Sequence, residues 1–387
     1  MAVDTKGRIP YGLSNWGQFR RNQFVYVDRT QVIAKLDAMT VHSCLWSPRR
    51  TGKSLLCNQL ALWHDKAISE DEVCFLCCWS ICSTSKFFLL YFQRNKLFSG
   101  TYIGETPSLE AGKYLVLFLD FSKVDEKDVP GTFTKVVNQS VSEFSEKYCE
   151  LGLLQRPVVI DRVDSMASIS NLSSAVRMSG QTLSLIVDEV DSFANRLLVQ
   201  VSHEKGLGAS GYQELIKKEG SMLRQFGRVA KSESNTCIEK MFFTGVMPVA
   251  WSDAFSSLNT VEDLTHTNAF QYALGFTTSD IRELMMQLSP EMAPEDQDKH
   301  VESMKSTCIS YRRSSTQVHN LYNPQGVWYY RKQLQDKGIL MVPHIDPNIV
   351  QSGRDEVAAF LVKHAAGEYT LPRTLWSCEY LKIVFFY

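Results

Sequence analysis

The sequence predicts an α/β fold in which a parallel sheet is flanked by helices and followed by a smaller, mostly helical segment. Short apolar runs alternate with segments whose apolar residues recur at helical spacing, which is typical of parallel strands joined by crossover helices. One run leads through a Gly-Lys-Ser loop into a helical segment, and a later run ends in Asp188 and Glu189. Hydrophobic residues make up 44% and charged residues 21% of the 387 residues, as in ordinary globular proteins.

Four apolar runs are predicted to be the strands of this sheet. They are Val41–Trp46, Tyr114–Asp120, Ser184–Glu189 and Lys240–Val246. The run Tyr114–Asp120 is apolar up to its last residue, a pattern typical of a strand that is buried on both faces.

Helical spacing of apolar residues predicts helices between and after these strands. Val32, Ile33 and Leu36 form such a pattern after Thr30, which we expect to be the N-cap residue. Further helices are predicted over Ser54–His64, Thr132–Leu151, Tyr212–Val229 and most of the chain from Thr277 onward.

The charge balance excludes a whole-chain electrostatic attraction to nucleic acid or anionic lipid. The 41 Lys and Arg residues are almost cancelled by 42 Asp and Glu residues, which leaves a formal net charge of -1. The polar residues Met1–Arg8 lack the apolar stretch of a secretory signal. We therefore expect an intracellular protein, cytoplasmic or nuclear, with reduced thiols.

A phosphate-binding loop is predicted between the first strand and the helix that follows it. Its sequence is Ser47-Pro48-Arg49-Arg50-Thr51-Gly52-Lys53-Ser54. Gly52 permits a turn whose N–H groups face a phosphate, Lys53 places a positive charge on the β- and γ-phosphates, and the Ser54 hydroxyl is a ligand for Mg²⁺. Ser47 stands where the standard motif has its first glycine. The alternative is an ordinary basic turn capped by Ser54, with Arg49 and Arg50 in a solvated face instead of on phosphate.

An acidic strand end supplies the second element that a nucleotide-hydrolysing site needs. Asp188 at the tip of a buried strand is predicted to hold Mg²⁺ through water, and Glu189 is predicted to polarise the attacking water. Asp191 follows two residues later. Taken alone, the same pattern is also that of a strand ending in a solvated turn.

Together these motifs resemble those of the AAA-ATPase-like proteins, P-loop NTPases whose phosphate loop reads Pro-Arg-Arg-x-Gly-Lys-Ser and whose acidic strand reads Asp-Glu-x-Asp. That family also lacks the first glycine of the loop. The matching stretches are Tyr11–Ser14, Tyr26–Thr30, Pro48–Ser54, Leu97–Gly104, Leu117–Ser122, Asp188–Asp191, Phe243–Val246 and Leu321–Pro324.

The resemblance implies ATP and Mg²⁺ as cofactors. In ATPases of this type a polar residue at a further strand tip senses the γ-phosphate, and Thr244 has that position; the alternative is a simple Thr-Gly turn. Members are often joined to a nuclease-like domain, so nucleic acid as a partner follows from the resemblance alone. We predict no nuclease activity and no membrane association here, and we expect a protein partner or self-association.

The resemblance also divides the chain. Residues 10–275 are expected to be the ATPase core, and residues 276–387 a helical C-terminal segment that is shortened relative to the family. The segment Cys308–Arg313 departs from the family pattern. If it supplies an arginine to the nucleotide site, Arg312 or Arg313 is the candidate.

An apolar, cysteine-rich stretch over residues 73–92 interrupts the family pattern. It contains Cys74, Cys77, Cys78 and Cys82. Four interpretations remain open: a membrane-spanning helix, which Lys86 in its middle disfavours; a zinc site, which lacks a second Cys or His pair; a packed apolar helix; or a translated intron. The last residues, Ser377–Tyr387, have a similar apolar and aromatic character, and the interpretation as translated non-coding sequence is open for them too.

Two functions are therefore expected from the sequence. The first is ATP binding with Mg²⁺-dependent hydrolysis that drives a switch in a partner or an attached module. The alternative is a truncated, non-catalytic relative of NTPases found in mobile elements or Crinkler-type effectors, with weak or no nucleotide binding.

Overall fold

The computed structural model describes residues 8–40, 42–68, 94–125, 127–192, 220–246, 260–308, 310–313 and 317–337. The cysteine-rich stretch 73–92, residues 212–219 of one predicted helix and everything after residue 337 lie outside the described residues, so the predictions made for them stay predictions.

A five-stranded parallel sheet forms the centre of the fold and confirms the predicted α/β class. Its strands are β1 (His42–Trp46), β2 (Leu115–Asp120), β3 (Leu183–Asp188), β4 (Ile238–Gly245) and β5 (Val261–Asp263). Their order across the sheet is β2-β3-β4-β1-β5, and every neighbouring pair is parallel. All four predicted strands are present, and the short edge strand β5 was not predicted.

Helices cover both faces of the sheet. They are α1 (Trp16–Arg21), α2 (Gln31–Asp37), α3 (Lys53–His64), α4 (Arg94–Phe98), α5 (Tyr102–Glu105), α6 (Val129–Glu150), α7 (Ser165–Met178) and α8 (Gly220–Ser234). Apolar residues of α6, α7 and α8 pack on one face, and those of α1 to α5 pack on the other. Side chains of strand β3 alternate between the two faces: Leu185 and Val187 pack with α6 to α8, and Ile186 packs with α1 to α5.

Strand β2 is less buried than its sequence predicts. Its residues alternate between buried and half-buried, and Val116 and Phe118 belong to the half-buried set. The strand lies at the edge of the sheet, so the helices cover its second face only in part. A continuous apolar run therefore marks an edge strand here, not one buried on both faces.

Hydrogen bonds join the segment just before α2 to the start of α5. Thr30 stands at the N-cap position of α2, as predicted, but its hydroxyl accepts no capping hydrogen bond from the first turn of that helix. The hydroxyl instead donates to Asp28 Oδ1 at 2.7 Å and accepts from the Ile103 N–H at 3.1 Å. Asp28 Oδ2 accepts from the Tyr102 N–H at 2.6 Å. The stretches around residues 26–30 and 97–104 thus bind each other.

A C-terminal group of helices follows the sheet. It contains α9 (Thr278–Leu288), α10 (Pro294–Thr307) and α11 (Pro324–Lys337), with a small antiparallel hairpin of β6 (Ser310–Tyr311) and β7 (Leu321–Tyr322). These elements share an apolar cluster of their own, on which Tyr11, Val25 and Val27 also pack. Within the described ranges, none of the helices has the length and hydropathy that crossing a membrane requires.

The two ends of the undescribed segment 69–93 lie next to each other. The buried Arg94 side chain donates from Nη2 to the carbonyl of Ile68 at 2.7 Å and to that of Asp65 at 2.9 Å. The two described residues that flank this segment, Ile68 and Arg94, are therefore in direct contact.

We expect that residues 69–93 can be replaced by about four Gly and Ser residues without loss of the fold. Such a linker spans the gap at ~3.3 Å per residue. Because loop closure costs roughly 0.6 kcal/mol less for each halving of loop length, the free energy of unfolding should rise by about 1–2 kcal/mol. Urea unfolding of the full chain and the shortened chain measures this, and loss of cooperative unfolding in the shortened chain alone would contradict it.

Candidate functional site

The candidate site lies where the carboxyl ends of β1, β3 and β4 meet. Register pairs Trp46 with Gly245 and Val187 with Phe243, so the loop after β1 and the acids after β3 leave the same edge of the sheet. In open parallel sheets, ligands bind in the crevice outside this edge.

The loop after β1 has the backbone of a phosphate-binding turn. Arg50 has a φ of 63° and Gly52 has a φ of 105°, both in the left-handed region that favours glycine. A Cβ at Gly52 would meet no atom closer than 3.8 Å, so glycine is required here for its conformation and not for lack of space. Helix α3 begins directly afterwards at Lys53, and its free N–H groups and dipole point toward the loop.

The Lys53 ammonium group lies at the centre of this loop. Its side chain is buried, and Nζ donates to the carbonyl of Ser47 at 2.9 Å and to that of Pro48 at 3.0 Å. Glu189 Oε1 lies 3.8 Å from the same Nζ. The predicted cation and the predicted water-polarising acid are therefore adjacent.

Asp188 and Ser54 are in contact, as two ligands of one metal ion would be. The Ser54 hydroxyl lies beside the buried Asp188 carboxyl. Burial raises the pKa of Asp188 to about 6, and the hydrogen bond from Ser54 and the charge of Lys53 act against that rise. A hydroxyl and a carboxylate are the hard oxygen donors that Mg²⁺ prefers, and Mg²⁺ uses few protein ligands because it keeps waters and substrate phosphates. The residues present fit Mg²⁺.

Glu189 has a strained backbone beside the loop. Its φ is 54°, which is uncommon for a residue other than glycine, asparagine or aspartate. Its backbone N–H donates to Asp188 Oδ1 at 3.0 Å. The side chain is 19% exposed and lines the cavity described below. Such strained positions cluster at functional sites.

Asp191 has a structural contact that the sequence did not reveal. Both of its carboxylate oxygens accept from the Val246 N–H, at 3.1 and 3.0 Å. A Cβ at Gly245 would overlap Asp191 Oδ1 and the Trp46 ring. The Asp-Glu-x-Asp and Phe-Thr-Gly-Val stretches are therefore two sides of one contact, which holds the end of β4 against the turn after β3.

Thr244 lies inside the sheet. Its buried hydroxyl donates to the carbonyl of Leu45 on the neighbouring strand at 2.9 Å, and the residue is not part of the cavity lining. A sensing role for Thr244 stays a prediction.

The remaining loop residues differ in their surroundings. Arg50 is exposed, Arg49 is half-buried, and both line the cavity. Thr51 is buried and its hydroxyl donates to the Pro48 carbonyl at 2.8 Å. Both arginines are placed where a phosphate could reach them.

A cavity of about 400 Å³ opens next to the loop, within the range of small-molecule sites. Its walls come from the phosphate loop, from the N-terminal segment and from the C-terminal helices. The aromatic part of the lining consists of Phe19, Tyr26, Phe276 and Trp328. Motif reasoning did not assign these residues to the site, although Tyr26 lies in a stretch that the resemblance had picked out.

The two arginines after β6 have different surroundings. Arg312 is exposed and donates from Nε to Asn320 Oδ1 at 2.6 Å. Arg313 is 2% exposed and donates from Nη1 to the Trp46 carbonyl at 3.0 Å and from Nη2 to Ser47 Oγ at 2.8 Å. Of the two candidates, Arg313 reaches the phosphate loop.

In the parts of the chain that the structure describes, no group of three or more His, Cys, Asp and Glu residues is placed to hold a metal ion. The cysteines described are the free thiols Cys44, Cys57, Cys149, Cys237 and Cys308.

Comparison with known proteins shows similarity to one protein family and to solved structures. The model of the family described as "Predicted AAA-ATPase" matches residues 10–88 and 81–255. A search of curated proteins finds no match. Among solved structures, the Aeropyrum pernix ORC1 protein in complex with DNA is similar over 88% of this chain and 69% of that chain, at 9% sequence identity and a TM-score of 0.38. That likeness is too low to support an argument about function.

The pKa of Asp188 predicts how stability depends on pH in metal-free buffer. Between about pH 4, the pKa in the unfolded chain, and pH 6, the folded protein keeps a proton that the unfolded chain releases, so wild-type stability falls as pH rises through this window. Asp188→Asn has no such proton. At pH 7.5 it should be more stable than wild type by about 2–3 kcal/mol, and less so toward pH 4.

Urea unfolding of both proteins in EDTA at a series of pH values measures this difference. Other carboxyl groups titrate in both proteins and cancel when the two are subtracted. A stability difference that stays constant between pH 4.5 and pH 7.5 would contradict the assigned pKa.

Proposed function

The chain belongs to the family of predicted AAA-ATPases, whose model matches residues 10–88 and 81–255, and from this premise we propose that it binds ATP with Mg²⁺ and hydrolyses it. The observation that supports the proposal is the convergence of a buried lysine, a hydroxyl–carboxylate pair and a second carboxylate at one side of the cavity. These are Lys53, Ser54 with Asp188, and Glu189.

The phosphate end of ATP is proposed to bind in the loop. The N–H groups of the loop and of the first turn of α3 donate to phosphate oxygens, and the helix dipole adds partial positive charge. Lys53 Nζ holds the β- and γ-phosphates as a point charge. Its present acceptors are two neutral carbonyls, so an anionic phosphate would be a stronger partner.

Ser54 and Asp188 are proposed to hold Mg²⁺. When bound, this ion neutralises charge that develops on the β- and γ-phosphates during transfer. Asp188 must be ionised to act as a ligand, and Lys53 near the loop favours that form.

Glu189 is proposed to orient the attacking water and to accept its proton. Its carboxylate faces the cavity beside Lys53, so a water held by it would lie close to the γ-phosphate. Thr244 is proposed to act through the end of β4 and not by direct contact, since its hydroxyl donates to Leu45.

The base and ribose are proposed to occupy the aromatic part of the cavity. Tyr26 comes from the N-terminal segment, Phe276 lies just before α9, and Trp328 lies on α11. A nucleotide in this position would contact both segments at once. Binding and hydrolysis would therefore change the position of the C-terminal helices relative to the sheet. A partner or an attached module could respond to this conformational change.

Lys53→Met should abolish nucleotide binding, because the β- and γ-phosphates lose their buried cation. With ATP·Mg²⁺ at 100 times its Kd, wild type should gain roughly 2.7 kcal/mol of stability. Thermal unfolding with and without ATP·Mg²⁺ measures the gain. Lys66→Met is the matched control, because Lys66 lies just beyond the other end of α3 and its exposed ammonium group donates to Gln181. Equal stabilisation of the Lys53 and Lys66 variants would contradict the assigned role.

Glu189→Gln should keep ATP binding and lose hydrolysis, because an amide can hold a water but cannot accept its proton. The rate of phosphate release should fall by about 10²-fold or more. Glu239→Gln, an exposed change at the opposite end of β4, should hydrolyse ATP at the wild-type rate. If wild type binds ATP·Mg²⁺ but releases no phosphate, the protein is a binding module and the hydrolysis part of the proposal is wrong.

A further inference from the structure

Ser47 stands at the first position of the phosphate loop, where the standard motif has a glycine. A glycine offers no side chain, whereas the buried Ser47 hydroxyl lies 2.8 Å from Arg313 Nη2 and 2.8 Å from Thr51 Oγ1. The residue that departs from the motif therefore makes two contacts that the motif residue could not make.

The directions of these hydrogen bonds follow from the chemistry of arginine. A guanidinium only donates, so Ser47 Oγ accepts from Arg313. Because the single hydroxyl proton of Thr51 goes to the Pro48 carbonyl, Ser47 gives its own proton to Thr51 Oγ1. Thr51 Oγ1 in turn donates to the Pro48 carbonyl at 2.8 Å. That carbonyl also accepts from Lys53 Nζ. Arg313, Ser47 and Thr51 thus form a chain of hydrogen bonds whose members strengthen one another, and this chain ends on the carbonyl that also accepts from the phosphate-binding lysine.

Arg313 is itself fixed in place. Its backbone N–H donates to Gln317 Oε1 at 2.9 Å, and its backbone carbonyl contacts His266 Nδ1. The guanidinium lies 6.0 Å from the centre of the Tyr311 ring. With both terminal nitrogens on Trp46 and Ser47, the side chain spans the point where β1 becomes the loop.

Other groups of the C-terminal region hold the same loop by its backbone. Asn323 Nδ2 donates to the Arg49 carbonyl at 3.0 Å, and the Gly275 N–H donates to the Thr51 carbonyl at 3.3 Å. The loop is therefore bounded on one side by residues far away in the sequence.

We propose that Arg313 is a positioning residue for the phosphate loop, which it holds through Ser47 and the Trp46 carbonyl in the shape that binds nucleotide. The inference rests on the proposed function. Arg313 is not part of the cavity lining, so it acts through the loop and not on the phosphates. Nucleotide affinity thereby depends on the position of the β6–β7 hairpin relative to the phosphate loop.

A double-mutant cycle tests the proposal. Ser47→Ala, Arg313→Lys and the double variant are compared with wild type for ATP·Mg²⁺ affinity by titration calorimetry. Lysine keeps the charge but cannot donate in the planar fork that reaches two acceptors. Each single change should weaken binding about tenfold, as expected for a lost hydrogen bond to a charged group, and the double variant should be no weaker than the weaker single. Arg312→Lys, the matched control, should stay within about twofold of wild type.

Two results would overturn the proposal. Wild-type affinity in Arg313→Lys would mean that charge alone matters, and effects that multiply in the double variant would mean that Ser47 and Arg313 act independently. If the arginine variant does not fold, Ser47→Ala removes the other end of the contact, and wild-type affinity in that folded variant also refutes the proposal.

A second readout does not require ATP. Hydrogen–deuterium exchange of the loop amides in nucleotide-free protein should be about tenfold faster in Ser47→Ala and Arg313→Lys than in wild type and Arg312→Lys. Faster exchange in a protein that fails to bind ATP would leave the positioning role intact and remove the proposed function. Unchanged exchange in a protein that binds ATP would leave the proposed ATP binding intact and refute the positioning role.

Discussion

A buried ammonium group is the constraint on which the site depends. Lys53 is 4% exposed, and a buried cation is costly unless acceptors surround it. The carbonyls of Ser47 and Pro48 reach it only because the loop turns back over the start of α3, and that path needs left-handed conformations at Arg50 and Gly52. Strand, loop and helix therefore satisfy one electrostatic requirement together, and the hydrogen bonds that start at Arg313 end on the Pro48 carbonyl.

Much of the sheet could be predicted because buried parallel strands leave a local signal. Strands β1 to β4 are apolar runs bounded by polar residues, and each was placed within a few residues of its observed bounds. Lys53, Ser54, Asp188 and Glu189 follow strand ends that are neighbours in the sheet, so the same signal also brought these side chains together. The prediction that β2 is buried on both faces was wrong, because its place at the edge of the sheet depends on strand order, which no local pattern encodes.

The remaining parts of the site could not be predicted because their contacts span long separations in the sequence. Arg313 lies 266 residues from Ser47 in the sequence, and the aromatic residues of the cavity lining come from both ends of the described chain. Thr244 was placed at the correct strand tip, but the direction of its hydroxyl depends on the register between β4 and β1. Arg313 could be named in advance only as one of two neighbouring arginines, and burial separates it from Arg312.

The meeting of Ile68 and Arg94 has a consequence for the history of the chain. Where the two ends of a segment are joined by a side chain that belongs to the core, the junction itself is under selection for folding, and a longer segment adds only a small closure cost. Such a place tolerates sequence of foreign origin or changing length while the phosphate loop, some 15 residues upstream of Ile68, stays under full constraint. It is also the natural point at which to graft a reporter domain onto this ATPase fold.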